Sequence, residues 1–423
     1  MRRAIWWGVA LLAILAAGFL ALAPGIVERS MNKVEPTPAI EQRMGADIDP
    51  DALARELAKP TPEPVFADPI VDLHADTLLW SRDLLTLGTR GQVDLPRLQR
   101  GNVALQVFSS VTKTPRGQNY DSNGDDSDNI TPLVIAQLQP VRTWGSLLNR
   151  SLWHATKLRR AARASNGELR LITSPRELDA LLVARANTRP CPHHAAPDFP
   201  CVKPTGALLS IEGLNGLEGS LANLDRLYRS GFRMAGLTHF FDNEIAGSMH
   251  GRAKGGLTPF GRQVVARMED RGMIVDVAHL SHAGIADVLK VARRPIVSSH
   301  GGVQATCRVN RNLTDDEVRG IARTGGVVGI GYWAGAVCST DPKAIAKAIV
   351  HVRDVAGIDH VALGSDFDGA VTTAFDTAWV ALVAEALRDA GLRQDELDKV
   401  MGGNAILVLR AGMQPLSPAA PAR

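Results

Sequence analysis

The stretch Pro69-Ile-Val-Asp-Leu-His-Ala-Asp76 is largely apolar until it ends in His74 and Asp76. In a strand, residues i and i+2 point to the same face, so this imidazole and carboxylate would project side by side at the strand's C-terminal end. Taken singly, His-x-Asp is as readily a buried hydrogen-bonded pair as half of a metal site. Its weight comes from what recurs downstream. The run Ala207–Glu212 ends in Glu212, Met234–His239 in His239, Met273–His279 in His279, Pro295–His300 in His300, Val327–Tyr332 in Tyr332 and Val361–Asp366 in Asp366. Of the 11 histidines, His74, His239, His279 and His300 stand at such ends, although helices and loops offer far more positions.

Imidazole and carboxylate ligands suit borderline cations such as zinc, and a catalytic site keeps coordination positions open for water. A carboxylate can bridge two ions, and Glu212 is the only Glu at the end of one of these runs. The expectation is a pair of zinc-like ions, with His74 and Asp76 on one, His279 and His300 on the other, and Glu212 between them. His282, in His279-Leu-Ser-His282, is a rival to His279, but its position predicts the start of a helix and a side chain facing solvent.

The elements that must position these residues alternate. Together with Val103–Ser109, the runs above make eight strand candidates. Helix candidates at Ser220–Ser230, Pro259–Arg271, Ala283–Arg293, Asp315–Thr324 and Pro342–Ala356 separate most of them. Gly231, Gly272, Gly325 and Gly357 occupy helix stop positions, Thr314-x-x-Glu317 has the form of a capping box, and Thr258-Pro259 is a capped start. Eight βα repeats with continuous apolar strands point to a (β/α)8 barrel of the TIM type. A barrel of this kind places functional residues at strand C-terminal ends, which is where they fall. A doubly wound open sheet is the alternative.

Before the barrel, Arg2 and Arg3 precede Ala4–Val27, a run without charge that is long enough to span a bilayer. The two arginines would stay cytoplasmic and send the rest of the chain across the membrane. A cleaved signal peptide, ending at Ala21-Leu-Ala23, is the competing reading and would give a secreted protein. Pro24, directly after that cut, favours an uncleaved N-terminal transmembrane helix. The expected organisation is an anchor at 1–30, a Pro-rich spacer at 31–68 with a short helix at Asp49–Lys59, a metallohydrolase barrel at 69–414 and a disordered tail at 415–423. Net charge is +3 and the basic residues are scattered, so nothing calls for nucleic acid.

In order along the chain stand Val71-Asp-Leu-His-Ala-Asp76, Ser210-Ile-Glu-Gly213, Leu237-Thr-His239, Gly256-Leu-Thr-Pro-Phe-Gly261, Val275-Asp-Val-Ala-His-Leu-Ser281, Ser298-Ser-His-Gly301, Arg308-Val-Asn-Arg-Asn312, Gly364-Ser-Asp-Phe-Asp-Gly369 and Gly403-Asn404. As an ordered set, these resemble the membrane dipeptidase (renal dipeptidase) family of zinc metallopeptidases from about Pro69 to about Leu409. The resemblance implies a barrel with a binuclear zinc centre that hydrolyses dipeptides, often with a C-terminal D-residue, and a dimer is common in the family. It implies His74, Asp76, Glu212, His279 and His300 as metal ligands, and His239, Arg311 and Asp366 as residues that handle substrate.

The chemistry follows from the charges. Two dications sharing a water would supply a bridging hydroxide at neutral pH and polarise the peptide carbonyl. Asp366 would accept the proton and relay it to the leaving amine. His239 would hydrogen-bond the developing oxyanion, and the planar fork of Arg311 suits the free carboxylate of a dipeptide. Tyr332 either lines the pocket or packs in the core. The chain departs from the family where Glu212-Gly-Leu-Asn215 replaces the usual Gly-Gly-His continuation, and residues 186–204 look like an insertion. Within it, Cys191 and Cys201 are expected to form a disulfide after export. Cys307 and Cys338 are positioned like a disulfide of family members. Asp121–Asp128 resembles the start of a calcium loop but lacks its later ligands, and reads better as a solvated loop over the barrel mouth. Other readings are a different binuclear amidohydrolase, such as a deacylase or lactonase, and an anchored non-catalytic binding protein. The unbroken ligand set argues against the last.

Overall fold

The structure, a computed structural model, describes residues 22–44, 69–188 and 203–416, with Trp6, Trp7 and Gly18. Its strands in chain order are β1 (Lys33–Val34), β2 (Ile70–Ala75), β3 (Val103–Phe108), β4 (Leu169–Leu171), β5 (Thr205–Ile211), β6 (Phe232–Gly236), β7 (Ile274–Asp276), β8 (Val297–Ser298), β9 (Val327–Ile330), β10 (Val361–Leu363) and β11 (Thr372–Thr373). β2 pairs with β3 and with β10, β3 pairs with β5, and parallel ladders continue through β6, β7, β8 and β9 to β10. The β3–β5 pairing closes a ring of eight, which decides for the barrel over an open sheet. β4, which the sequence did not suggest, stands outside the ring. It pairs with the first residues of β5, from Thr205 to Ala207, before β6 joins at Leu209.

Every residue of β2, β3 and β5 is buried, as parallel strands covered on both faces must be. Helices Leu221–Arg229, Pro259–Arg271, His282–Val291, Asp315–Arg323 and Pro342–Ala356 follow β5 to β9 in turn. Their starts obey local rules. The Thr258 side chain accepts from the Gly261 N–H, and Thr314 and Glu317 make a reciprocal capping box. Gly272 ends the second of these helices at φ 71°, where a Cβ would lie 2.6 Å from the Met413 carbonyl oxygen. Only glycine turns the chain there from helix into β7.

The strands stop earlier than the sequence pattern suggested. Glu212 lies one residue beyond β5, His300 two beyond β8, and His239, His279 and Asp366 three beyond β6, β7 and β10. The backbone leaves the ladder so that these side chains can turn into the barrel mouth. His279 at φ 63° and Asp366 at φ 62° are in the left-handed region, which no continuing strand permits.

The first residues of the expected spacer are docked on the barrel, because β1 pairs with β11 and the Glu35 N–H donates to the Thr373 carbonyl at 2.8 Å. The helix expected at Asp49–Lys59, the rest of the spacer through Asp68, Cys191, Cys201 and the tail from Ser417 lie outside the described residues. So does most of Ala4–Val27, expected to span a membrane. Among the described residues no helix is long and apolar enough to cross one, so the expected transmembrane helix has no counterpart there. Cys307 and Cys338 form a disulfide with an S–S distance of 2.07 Å. It ties the loop after β8 to the short helix Ala334–Val337 that follows β9.

Candidate active site

At the C-terminal mouth of the ring, Glu212 is the point on which the imidazoles converge. Its Oε1 lies 2.8 Å from His279 Nε2, 3.2 Å from His300 Nε2 and 3.7 Å from His74 Nε2, and its Oε2 lies 3.4 Å from His239 Nε2. His74 Nε2 is also 3.5 Å from Asp76 Oδ1 and 3.9 Å from Asp366 Oδ1. All seven side chains are buried. Three overlapping groups among them have the spacing to hold a metal ion: His74, Glu212 and His300; Glu212, His239 and His279; and His74, Asp76 and Asp366. The fold thus brings together every residue that the sequence nominated for the centre.

A second ring of polar groups orients them. Ser299 Oγ donates to Asp276 Oδ2 at 2.5 Å, and His300 Nδ1 lies 2.8 Å from Ser299 Oγ. With its proton given to Asp276, Ser299 Oγ accepts from the Nδ1–H of His300, which leaves the Nε2 lone pair aimed at Glu212. Asp276 Oδ1 also accepts from the Ser299 and Ala278 N–H groups. On the opposite wall Asp72 accepts from Ser365 Oγ at 2.5 Å and from the Ser365 N–H at 2.8 Å, fixing the turn that leads to Asp366. Sequence reasoning missed these supports. The available signals were Asp72 and Asp276 inside otherwise apolar runs, where a carboxylate needs a partner, and a serine directly before both His300 and Asp366.

These residues fit a cation. His279 Nε2 lies 3.0 Å from His300 Nε2 and 3.2 Å from Arg311 Nη2. Arginine is only a donor, so His279 Nε2 presents a lone pair to it, as His300 Nε2 does to Glu212. Two lone pairs and a carboxylate oxygen therefore face one another across about 3 Å, an arrangement that a shared positive charge resolves. His74 Nε2 and Asp76 Oδ1 are buried without a hydrogen-bond partner. The charges agree. Burial, then the Glu212 charge, pushes the Asp76 carboxyl up to about 7. Burial likewise raises Asp366 well above the usual carboxylate range, with Glu212 and Asp76 adding repulsion. Burial also opposes ionisation of Glu212, yet the facing imidazoles, His239 and His74 first, hold its carboxyl well below its ordinary value. Burial keeps His279 and His300 well below theirs, in the neutral form that a metal ligand requires.

The remaining nominated residues separate. Arg311 is 4% exposed and sits beside the centre, with Nη1 donating to the His300 carbonyl at 3.2 Å and Cζ 4.5 Å over the Trp333 ring. His282 begins its helix half-exposed and bonds Glu317 through Nδ1 at 2.6 Å, outside the cluster. Tyr332 is fully buried, its ring 5.5 Å from both Phe367 and Phe375, and belongs to the core. The Asp121–Asp128 loop does reach the mouth, since the preceding Tyr120 hydroxyl accepts from Trp333 Nε1 at 3.0 Å. Its last carboxylate, Asp128, is taken by Arg150 and Thr131.

Comparison with known proteins bears on what such a centre serves. The model of the membrane dipeptidase family (peptidase family M19) matches residues 202–416. The chain belongs to that family. Its members are metallopeptidases that hydrolyse dipeptides, and this membrane dipeptidase-family chain is similar to dipeptidase aclJ of Aspergillus oryzae, at 29% identity over 81% of this chain and 77% of that protein. It is also similar to dipeptidase tcpJ of Claviceps purpurea, at 27% identity over 76% of this chain and 69% of that one. Among solved structures it shares its fold with the probable dipeptidase PvdM of Pseudomonas aeruginosa, with a TM-score of 0.66, 20% identity and coverage of 85% and 98%. A metallopeptidase of Rhodobacter sphaeroides, solved with a phosphinate mimic of L-Ala-D-Ala, matches with a TM-score of 0.62, 22% identity and coverage of 82% and 99%.

Proposed function

We propose that the chain is a zinc-dependent dipeptidase that requires a free substrate carboxylate and accepts dipeptides with a C-terminal D-residue. The observation that carries this is the convergence of His279 Nε2 and His300 Nε2 on Glu212 Oε1, with a buried arginine 3.2 Å from one of them. His74 and Asp76 would hold one zinc, His279 and His300 a second, and Glu212 would bridge them. When bound, the ions would lower the pKa of a water molecule and polarise the scissile carbonyl.

The chain's own residues do the rest. Asp366, already disposed to take up a proton by its burial, accepts one from the attacking water and delivers it to the leaving amine nitrogen as the C–N bond breaks. His239 donates a hydrogen bond to the carbonyl oxygen as negative charge develops there. The Arg311 fork takes the terminal carboxylate and so sets the length of substrate that fits. Acceptance of a D-residue is supported by the related fold solved with the L-Ala-D-Ala mimic.

The domain plan of anchor at 1–30, spacer at 31–68, barrel at 69–414 and tail at 415–423 is part of the proposal, with the barrel on the extracytoplasmic side. Support comes from the uncharged Ala4–Val27 behind Arg2 and Arg3, and from Leu22 and Ile26, one helical turn apart and 66% and 62% exposed. The test of function is product analysis with the purified, zinc-supplemented chain. Release of both amino acids from L,L and L,D dipeptides, lost on chelation, is expected. Cleavage of N-acyl amino acids or lactones without any dipeptide hydrolysis would mark a different amidohydrolase.

A further inference from the structure

The turn after β10 carries three non-glycine residues in the left-handed region: Asp366 at φ 62°, Asp368 at φ 63° and Ala370 at φ 61°. Such a backbone persists only where its surroundings hold it. Asp368, fully buried, is the principal fastening. Its Oδ1 accepts from the Gln92 N–H at 2.6 Å, and its Oδ2 accepts from Thr77 Oγ1 at 2.8 Å and from Arg82 Nη2. Its own N–H donates to Gln92 Oε1 at 2.7 Å, and its carbonyl accepts from Trp80 Nε1 at 2.7 Å. Gly369 lies under the Asp366 carboxylate, since a Cβ there would stand 2.2 Å from Asp366 Oδ1. The place of Asp366 thus depends on where Asp368 is held.

Arg82 is in turn held from the N-terminal segment. Glu28 is 1% exposed, with Oε1 2.7 Å from Arg82 Nε and Oε2 2.6 Å from Arg90 Nε. Asn32 Oδ1 accepts from the Ala370 N–H at 2.9 Å, and the Lys33 carbonyl accepts from Gln92 Nε2 at 3.0 Å. The helix at 22–31, which buries the Glu28 carboxylate and leaves Leu22 and Ile26 outward, is seated by polar contacts rather than by an apolar face. From this geometry we infer that Glu28 is a positioning residue for Asp366, acting through Arg82 and Asp368, and that Glu28–Glu35 completes the active-site scaffold. The inference rests on the proton-transfer role of Asp366 given above.

Removing the Glu28 carboxylate takes the shared anion from Arg82 and Arg90; Arg82 keeps the Val93 carbonyl on Nη1, but its ion pair on the Nε side is gone, so its hold on Asp368 loosens and the turn can relax. The test uses the full-length, zinc-loaded chain in detergent. Glu28→Ala should lower kcat about tenfold or more, with KM within about twofold and zinc content unchanged, and Glu28→Gln, which keeps an acceptor for Arg82, should recover part of the loss. Arg319→Ala, which breaks only an exposed ion pair to Asp316 on an outer helix of the barrel, should leave kcat as it is. A wild-type kcat in Glu28→Ala with a lowered Tm would reduce the contact to simple docking and overturn the inference, as would a fall in kcat that tracks loss of zinc. If Glu28→Ala does not fold, an unchanged kcat in zinc-replete Glu28→Gln overturns it equally. Asp366→Asn separates the two levels: near-complete loss of turnover upholds the role of Asp366 whatever Glu28 does, whereas wild-type turnover removes that role and the relay with it.

Discussion

In the proposed function Arg311 is the residue that separates a dipeptidase from a general amidohydrolase, and Arg311→Ala tests it. The guanidinium is 4% exposed, rests over Trp333 and is steadied by the His300 carbonyl, so it would meet a substrate carboxylate already desolvated and oriented. Losing a buried, charge-assisted contact of this kind costs roughly 2 to 5 kcal/mol. That converts to about 30-fold to several-thousand-fold in kcat/KM. The proposed zinc ligands are untouched and one positive neighbour of His279 is removed, so zinc content should hold. The assay compares a dipeptide with its C-terminal amide. Wild type should discriminate strongly against the amide, Arg311→Ala should be weak on both without discrimination, and Arg311→Lys should recover only part because an ammonium lacks the fork. Equal cleavage of acid and amide by the wild type, or a preserved preference in Arg311→Ala, would refute the reasoning.

Ser299→Ala should weaken zinc affinity by about 10- to 100-fold, because His300 loses the acceptor that fixes its tautomer; competition against a chelator measures it, and unaltered affinity would count against that assignment. His154 is buried against Ser110 and is held well below its ordinary pKa by burial, then by Lys157 and Arg150. The unfolded chain therefore takes up a proton below about pH 6.5 that the native chain refuses, so this group's stability contribution is complete above that pH and falls by up to about 1.4 kcal/mol per unit of acidification. His154→Gln should show a shallower fall of Tm between about pH 7 and 5 than the wild type, and an equal slope would exclude the effect. For the proposed anchor, a reporter fused to the C-terminus should be active only in the exported compartment; soluble chain beginning after Ala23 would instead show a cleaved signal.

The barrel was legible because parallel strands buried on both faces leave uninterrupted apolar runs, and because helix stops and starts such as Gly272 and Thr314 act within a few residues of sequence. The centre was legible for a related reason: His74, Glu212, His239, His279, His300 and Asp366 each close one of those runs, so a local pattern reported a global convergence. Strand ends were misjudged where the chain enters the left-handed region at His279 and Asp366, since nothing in those residue types announces it. β4 escaped notice because three residues, one of them Arg170, give too short a period. The contacts of Glu28 with Arg82 and of Asp368 with Gln92 escaped for a different reason. They join segments far apart in sequence, and a charged residue before a Pro-rich stretch gives no sign that it will be buried.

The most direct test of the central claim is the metal content of the purified chain measured alongside its dipeptidase rate, for the wild type and for Glu212→Gln. A bridging Glu212 predicts close to two zinc per chain in the wild type, and in the variant a loss of both zinc and turnover. Full zinc occupancy and a normal rate in Glu212→Gln would contradict the account.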